Sequence, residues 1–244
     1  MPKRKKRKKK SRSKIGLLLL VFMAVALFFA YKKFFYQERH AVKISNLPEL
    51  PEGFKSYGID ISHHQNTIDW EQFKSNNDST IQFVYCKVTE GLELIDRQWQ
   101  SNHKSLYEMK IPHGGYHFFR PKVSAEIQAK HFLANYKHIE NELPPALDVE
   151  TEGRSDAELI SNMKIWLTMV EAATGKRPII YTSYHFYSTK FKDQFPNHKF
   201  WVANYGNQSH RFTDEQIIHW QFSESGKIPG IEGFVDLNYS KIEF

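Results

Sequence analysis

The chain has 244 residues, 41% hydrophobic and 15% aromatic, so it can bury a core, and long disorder is excluded beyond the N-terminus. The formal net charge of +7 belongs to residues 1–14, which carry ten Lys or Arg and no acid; the remainder holds 24 basic and 27 acidic residues, a net charge of −3. A nucleic-acid-binding domain carries positive charge on its folded face, so we predict no nucleic-acid partner.

The first predicted element is an uncharged apolar segment from Ile15 to Tyr31, which aromatic residues extend to Tyr36. It is just long enough to cross a bilayer core, which takes about 17–25 residues. We therefore predict a basic cytoplasmic tail over 1–14, a single-pass transmembrane anchor over 15–36 and a linker over 37–55. The positive-inside rule then places the rest of the chain in the periplasm or on the cell-wall side. A cleaved signal peptide is the alternative, disfavoured because no small-x-small site precedes polar sequence.

Short apolar runs follow the linker, and several are nearly continuous, as in strands that are covered on both faces. They predict eight strands: Tyr57–Ile61, Ile81–Val88, His113–Phe119, Ala146–Val149, Pro178–Thr182, Phe200–Ala203, Ile217–Phe222 and Phe234–Leu237.

Helical patterns separate the earlier strands, over 68–74, 96–109 and 124–138. A further helix begins at the capping box of Ser155 and Glu158 and ends at Gly175. Helices concentrated in the first two-thirds predict an α/β fold. The expected form is an eight-stranded β/α barrel over 56–244 that lacks its last helices, with an open doubly wound sheet as the alternative.

Four carboxylates fall at the ends of predicted strands, and they are Asp60, Asp148, Glu150 and Asp236. The C-terminal ends of parallel barrel strands meet at one edge, where functional groups cluster. A single buried acid is commonly a structural hydrogen-bond acceptor. Four acids at equivalent ends instead favour a catalytic site.

Asp148 and Glu150 lie two residues apart in an extended segment, so their side chains project to the same side. Each carboxylate disfavours the charge of the other, and burial adds to this effect, so that one of them keeps its proton near neutral pH. Glycoside hydrolysis needs a protonated acid for the leaving oxygen and an ionised carboxylate for the cationic transition state. We predict that Glu150 is the acid and that Asp148 tunes it.

Aromatic and histidine residues give weaker signals. Tyr116, Tyr181 and Trp201 at strand ends are candidates to line a sugar-binding groove, although aromatic residues in strands commonly belong to the core. His113 and His117 have the spacing of helical metal ligands, but in a strand they lie about 13 Å apart. We therefore predict no metal site.

An ordered set of motifs then extends from Tyr57 to the C-terminus and resembles the glycoside hydrolase family 25 lysozymes, the Chalaropsis-type muramidases. The motifs are Tyr57-Gly-Ile-Asp-Ile-Ser62, Lys87-Val-Thr-Glu-Gly91, Gly115-Tyr-His-Phe-Phe-Arg-Pro121, Leu147-Asp-Val-Glu150, Pro178-Ile-Ile-Tyr-Thr-Ser183, Trp201-Val-Ala-Asn-Tyr205, Trp220-Gln-Phe222 and Val235-Asp-Leu-Asn238. Each motif alone is weak, whereas the ordered set is specific.

The resemblance implies cleavage of the β-1,4 bond between N-acetylmuramic acid and N-acetylglucosamine in peptidoglycan, without a cofactor. Glu150 would be the general acid, and Asp60, Asp148 and Asp236 the other acidic site residues. In this family the second catalytic role is assigned either to a carboxylate or to the acetamido group of the substrate. Together with the strand-end aromatics, His117, Tyr205 and Gln221 complete the predicted substrate-binding set.

Partners follow from the same interpretation: peptidoglycan glycan strands, the membrane through the N-terminal helix, and a monomeric state. Two alternatives belong to other classes. One is a non-catalytic peptidoglycan-binding or scaffolding protein on the same fold, and the other is a metal-dependent polysaccharide deacetylase. The four acids disfavour the first, and the absence of a metal-binding motif in the sequence disfavours the second.

Overall fold

The computed structural model describes residues 12–77, 80–137, 142–206 and 212–244. The chain forms two compact units, Met1–Ala41 and Val42–Phe244. The first contains helix α1, Arg12–Arg39. Its part Leu19–Arg39 has a mean hydropathy of 1.7 and is long and apolar enough to cross a membrane, by length and composition only. A signal sequence shares these features, so the membrane anchor over 15–36 stays a prediction.

The described residues of the second unit form one ten-stranded sheet. Its strands are β1 Val42–Lys43, β2 Ser56–Ile61, β3 Ile81–Glu90, β4 Leu94–Ile95, β5 His113–Phe118, β6 Ala146–Val149, β7 Ile179–Ser183, β8 Phe200–Ala203, β9 Ile217–Lys227 and β10 Val235–Ser240. Eight of them close a ring in the order β2-β3-β5-β6-β7-β8-β9-β10, with β10 pairing back to β2. The predicted barrel is confirmed, and the open doubly wound sheet is wrong.

Strand direction is uniform around the ring except at β10. The pairs from β2 to β9 are parallel, whereas β10 runs antiparallel to both β9 and β2. The short β1 pairs with β9 outside the ring, and β4 pairs with β3.

Helices cover the first part of the barrel, as the sequence predicts. They are α2 Trp70–Asn77, α3 Trp99–Met109, α4 Ala125–Asn135, α5 Asp156–Thr174 and the single turn α6 Tyr184–Phe186, which continues into a π-helical turn at Tyr187–Phe191. Between β8 and β10, the described residues contain no α-helix. The loss of helices toward the C-terminus is therefore confirmed for that part of the chain.

Helix α5 shows how local sequence sets these boundaries. The Ser155 hydroxyl accepts the backbone N–H of Glu158, and Gly175 ends the helix at a φ of 69° that favours glycine. The Glu158 carboxylate accepts from Arg154, so the second half of the predicted capping box is replaced by an ion pair. Helix α4 ends at Asn135, before the predicted end at His138, which lies outside the described residues.

The segment before the barrel packs on it. Besides the β1 pairing, Leu47 and Leu50 contact the core, and the Tyr57 hydroxyl donates to the Pro48 carbonyl at 2.5 Å. The compact unit thus begins at Val42, earlier than the boundary predicted near Ser56.

The barrel wall separates two cores. The outer core lies between strands and helices and includes Ile59, Val84, Leu147 and Trp166. The inner core fills the barrel, and its buried members are Phe83, Tyr85, Leu143, Ala146, Ile179, Tyr181 and Trp201. Gly58 makes room for this filling, because a Cβ at that position would lie 2.4 Å from the Phe83 ring.

Candidate active site

Four carboxyl groups lie at one end of the barrel. Asp60 is near the end of β2, Asp148 is in β6 and Glu150 directly follows β6. Asp236 lies near the start of β10 and faces Asp60 in the register of the two strands. The sequence placed Asp236 at the C-terminal end of a parallel strand, which is wrong. Because β10 is antiparallel, its N-terminal end lies where the parallel strands finish, so the four acids still share one edge.

Asp60 and Asp236 form a hydrogen-bonded acid pair. The Asp60 Oδ2 also accepts from Gln221 Nε2 at 2.9 Å and from Asn238 Nδ2 at 2.8 Å. Burial raises the pKa of Asp236 well above its usual range, and the charge of Asp60 raises it further. Burial also raises the pKa of Asp60, and its three hydrogen bonds offset that rise only in part, so the pKa of Asp60 is raised less than that of Asp236. Asp236 therefore holds the proton, and Asp60 carries the charge.

The two amides that bind Asp60 are fixed by their other partners. The Trp201 indole N–H, which can only donate, lies 2.7 Å from Asn238 Oδ1. The Tyr181 hydroxyl donates to Gln221 Oε1 at 2.9 Å. Because both amide oxygens are occupied, each amide presents its NH₂ group to Asp60. The position of the negative charge on Asp60 is therefore fixed by the groups buried beneath this residue.

Asp148 and Glu150 form the second pair, and their side chains are hydrogen-bonded to each other. Asp148 is buried, and its pKa is raised well above the usual range by burial and then by the charge of Glu150. Glu150 is exposed, and its pKa is raised by partial desolvation and then by the charge of Asp60, against the lowering effect of Lys87. The proton of this pair therefore resides mainly on Asp148, with only Glu150 open to solvent.

A basic cluster flanks the second pair. The buried Lys87 donates to Glu90 at 2.6 Å, and Arg120 binds the other oxygen of the same carboxylate, from Nε at 3.0 Å. Lys87 Nζ and the Arg120 guanidinium lie 4.9 and 4.6 Å from the centre of the Phe118 ring. Lys87 lowers the pKa of the nearby acids through its charge, so it limits how strongly they hold their protons.

A groove of about 730 Å³ opens beside Glu150. Its walls carry hydroxyls, amides and aromatic rings, and the lining residues are Glu150, Tyr181, Ser183, Tyr184, His185, Ser188, Ala203, Asn204, Tyr205 and Glu224. Tyr205 is half exposed, and its hydroxyl donates to Gln221 at 2.7 Å. The groove thus offers both stacking surfaces and polar groups next to the exposed acid.

The predicted substrate-binding residues fall into three groups. Tyr181 and Tyr205 line the groove. Trp201 and Gln221 are buried beneath the site, where Gln221 donates to Asp60 and Trp201 holds the Asn238 amide that also donates to it. The half-buried Tyr116 packs against Trp201. The predicted direct contact of Trp201 and Gln221 with substrate is therefore replaced by a supporting position, whereas that of Tyr116 stays a prediction.

The prediction for His117 is wrong. This residue is fully buried on the outer side of the barrel wall, where its ring stacks on Trp166 of α5. Its two ring nitrogens bond to Thr89 at 2.8 Å and to Gln128 at 3.1 Å. Burial lowers its pKa to about 3. His117 therefore ties β5 to β3 and α4 and has no access to the groove.

Sequence reasoning missed three residues that act on the acids, namely Asn238, Lys87 and Glu90. Asn238 follows Asp236 by two positions in a strand, so it shares the inward face. That alternation was available as a signal. The positions of Lys87 and Glu90 beside the Asp148–Glu150 pair depend on the pairing of β3 with β5 and of β5 with β6, for which the sequence offers no local signal.

Comparisons with known proteins place this barrel in a family. The sequence profile described as Glycosyl hydrolases family 25 matches residues 59–231. The chain belongs to glycoside hydrolase family 25. It is accordingly a glycoside hydrolase of the lysozyme type, as the resemblance in its motifs implies.

Relatives and solved structures agree with this membership. The chain is 38% identical over 192 residues to the Escherichia coli K12 protein YegX, covering 78% of this chain and 71% of that one. It is 29% identical over 197 residues to Lysozyme M1 of Streptomyces globisporus, covering 74% of this chain and 66% of that one. A bacterial lysozyme from Streptomyces coelicolor superimposes with a TM-score of 0.67 at 29% identity, over 76% of this chain and 91% of that chain.

Proposed function

We propose that this family 25 enzyme is a muramidase that cleaves the β-1,4 bond between N-acetylmuramic acid and N-acetylglucosamine in peptidoglycan. The observation that carries the proposal is the hydrogen-bonded pair of Asp148 and Glu150, of which only Glu150 reaches the groove. The names of related proteins, Lysozyme M1 and N,O-diacetylmuramidase, support the same substrate class.

Glu150 is the general acid in this proposal. Its pKa is raised, and it shares a proton with a buried neighbour whose pKa is raised further. The proton on Asp148 passes to Glu150, which delivers it to the glycosidic oxygen, so both carboxylates are negative when the sugar becomes cationic. The proton that Glu150 then takes from water can return to Asp148. Asp148 therefore acts as a positioning residue and proton store beneath Glu150.

Asp60 supplies fixed negative charge. Its carboxylate accepts from Gln221, Asn238 and Asp236, so it cannot rotate freely toward a sugar carbon. Preorganised charge of this kind stabilises an oxocarbenium-like transition state without reorganisation. The same hydrogen bonds make Asp60 a poor nucleophile.

The attacking group that remains is the acetamido oxygen of the substrate itself. Asp148 is buried beneath Glu150 and Asp60 is saturated with donors, so neither offers a carboxylate oxygen to the anomeric carbon. In the first step the acetamido oxygen bonds to the anomeric carbon while the glycosidic C–O bond breaks and the Glu150 proton moves to the leaving oxygen. Water then opens the resulting ring, with Glu150 taking a water proton, and the anomeric configuration is retained.

Helix α1 is proposed to hold the enzyme at the membrane, with its basic N-terminus in the cytoplasm and the barrel outside. Its length, its hydropathy and the charge of residues 1–14 support this topology. Carbonate washing of membranes separates the alternatives, because an anchored chain stays in the pellet while a chain cleaved after a signal sequence is released.

The test of the activity is product analysis. Purified sacculi are digested with the full-length protein, and the fragments are reduced with borohydride and identified by mass spectrometry. We expect reduced muramic acid at the new ends. Reduced glucosamine would contradict the assigned bond, acetate release without fragments would indicate a deacetylase, and pull-down without fragments would indicate a binding protein.

A further inference from the structure

A second cluster of titratable side chains lies away from the acids of the groove. It joins His103 of α3, His113 at the start of β5 and Glu142 ahead of β6, at the end of the barrel opposite the groove. The His103 Nε2 lies 2.5 Å from Glu142 Oε1, and the His113 Nε2 lies 3.6 Å from the same oxygen. One ligand atom from each residue lies within 4.8 Å of the other two.

The tautomer of His113 is set by the backbone. Its Nδ1 lies 2.7 Å from the carbonyl oxygen of Ile111 and therefore donates to it, which in the neutral imidazole leaves the lone pair on Nε2. That nitrogen is buried and has no hydrogen-bond partner among the described residues. A lone pair then faces a carboxylate oxygen in a buried site, which is unfavourable unless a cation lies between them. A backbone acceptor on the second ring nitrogen is also the usual arrangement of a metal-bound histidine.

Glu142 is held in place from the other side. The Tyr136 hydroxyl donates to its Oε2 at 3.0 Å, and Lys176 Nζ donates to its backbone carbonyl at 2.5 Å. Its Oε1 therefore stays directed at the two histidines. A proton shared between His103 and Glu142 satisfies that contact alone and leaves the His113 lone pair without a partner.

We propose that His103, His113 and Glu142 bind a zinc ion. Imidazole nitrogens and a carboxylate oxygen are ligands that zinc accepts at about 2.0–2.2 Å, and neighbouring ligands of a tetrahedral site lie about 3.3 Å apart. The 3.6 Å between His113 Nε2 and Glu142 Oε1 already fits this spacing. The 2.5 Å between His103 Nε2 and Glu142 Oε1 has to lengthen by about 1 Å. The His103 side chain is 20% exposed and has room to move by that distance. Water takes the fourth position on that exposed side.

The ion would join α3, β5 and the segment that leads into β6. Its role is structural, because the site lies at the opposite end of the barrel from the proposed acid Glu150. This inference is independent of the proposed muramidase activity. Zinc removal is expected to lower the thermal stability of the protein and to leave bond specificity unchanged.

The experiment uses the full-length protein without a histidine tag. After treatment with a chelator and dialysis, zinc alone is titrated by calorimetry and retained metal is measured by mass spectrometry. We expect one equivalent of zinc at micromolar affinity or tighter. Bound zinc should raise Tm by at least about 2–4 °C, the shift that a modest gain in stability gives a domain of this size. Cobalt in place of zinc should give the visible absorption of a four-coordinate site.

The variants separate a metal site from a protonated ion pair. Zinc affinity should fall at least about tenfold in His103→Gln and in His113→Gln. Removal of a group that only supports a metal ligand already costs about tenfold to a hundredfold in affinity, so removal of a ligand should cost no less. The control is His198→Gln, which removes another histidine with a partnerless Nε2 in the described chain but outside the cluster. Absence of zinc binding by the unmodified protein, or equal binding by His103→Gln, would overturn the proposal.

Discussion

The interior of the barrel has two layers of opposite character. At the groove end lie four acids and the two amides that orient Asp60. Below them lies an aromatic layer formed by Phe83, Tyr85, Trp201 and His219, with ring centres 4.9 Å apart for Phe83 with His219 and for Tyr85 with Trp201. The upper layer is made of carboxyl and amide groups, whereas the lower layer is made of buried rings. Each layer leaves one buried polar atom without a partner in the described structure, a carboxyl oxygen of Asp148 above and the Nδ1 of His219 below.

This contrast shows that stability and chemistry come from different layers. The aromatic layer excludes water from below, and the resulting desolvation is the largest cause of the raised pKa of Asp148 and Asp236. Each retained proton costs folding free energy, because the unfolded chain would ionise the same group. The packing below and around the wall must offset that cost.

The largest expected effect is on activity. Glu150→Gln preserves shape but removes the transferable proton, so kcat for sacculus hydrolysis should fall by ~10²–10⁴-fold, the usual contribution of general acid catalysis. Because Glu150 is exposed, Tm should change little. Glu108→Gln, on the exposed surface of α3, is the matched control. Hydrolysis by Glu150→Gln within a few-fold of the unmodified enzyme would refute its role.

The sequence was sufficient for the elements whose signals are local. The Ser155 cap and Gly175 define α5, and near-continuous apolar runs mark the strands. It was insufficient for the choice of face in β5, because a strand buried on both sides has no polar face to identify the outside. Tyr116 and His117 were therefore both predicted in the groove, although only one of two neighbours in a strand can face inward.

The site was predictable as a set of residues but not as pairs. The convergence of Asp60 and Asp236 at one edge follows from barrel closure. Their hydrogen bond, however, depends on the antiparallel direction of β10, which brings together residues far apart in sequence. The amides of Gln221 and Asn238 depend in turn on that register.

A substitution in the aromatic layer should lower stability and leave activity per folded molecule intact, which is the reverse of the effect expected for Glu150→Gln. Phe83→Ala removes a fully buried ring opposite Gly58, where no side chain can fill the space. We expect a loss of ~3–5 kcal/mol in unfolding free energy, measured by urea denaturation. Activity per folded molecule should persist at low temperature because Phe83 does not reach the groove. Tyr107→Ala, at an exposed aromatic residue, should cost far less.

Asp148→Asn tests both layers at once. The amide cannot store a proton or become an anion, so kcat should fall by about tenfold to a hundredfold, less than for Glu150→Gln, which can no longer donate at all. Stability should rise. The raised pKa of Asp148 makes the folded state bind the proton more tightly than the unfolded state, so folding loses stability as pH rises above the ordinary value of 3.8.

The stability gain of Asp148→Asn should therefore grow as pH rises from about 4 toward the folded pKa and then level off, as measured by Tm across a pH series. Asp193→Asn, on the exposed surface, should show no such trend. A pH-independent difference would mean that Asp148 carries its charge as readily in the barrel as in the unfolded chain.

The smallest expected effect is a shift along the pH axis. Lys87 lowers the pKa of both Asp148 and Glu150 through its charge, so Lys87→Met should raise both. Because the acid must hold its proton to act, the alkaline fall of kcat/KM should move to higher pH. At alkaline pH the variant should therefore keep a larger fraction of its maximal kcat/KM than the unmodified enzyme keeps of its own. Lys104→Met, an exposed lysine of α3, is the control. An unmoved alkaline fall, with the acidic rise of kcat/KM moving to higher pH instead, would mean that Lys87 acts on a carboxylate that must be ionised and would contradict the assignment of Glu150 as the proton donor.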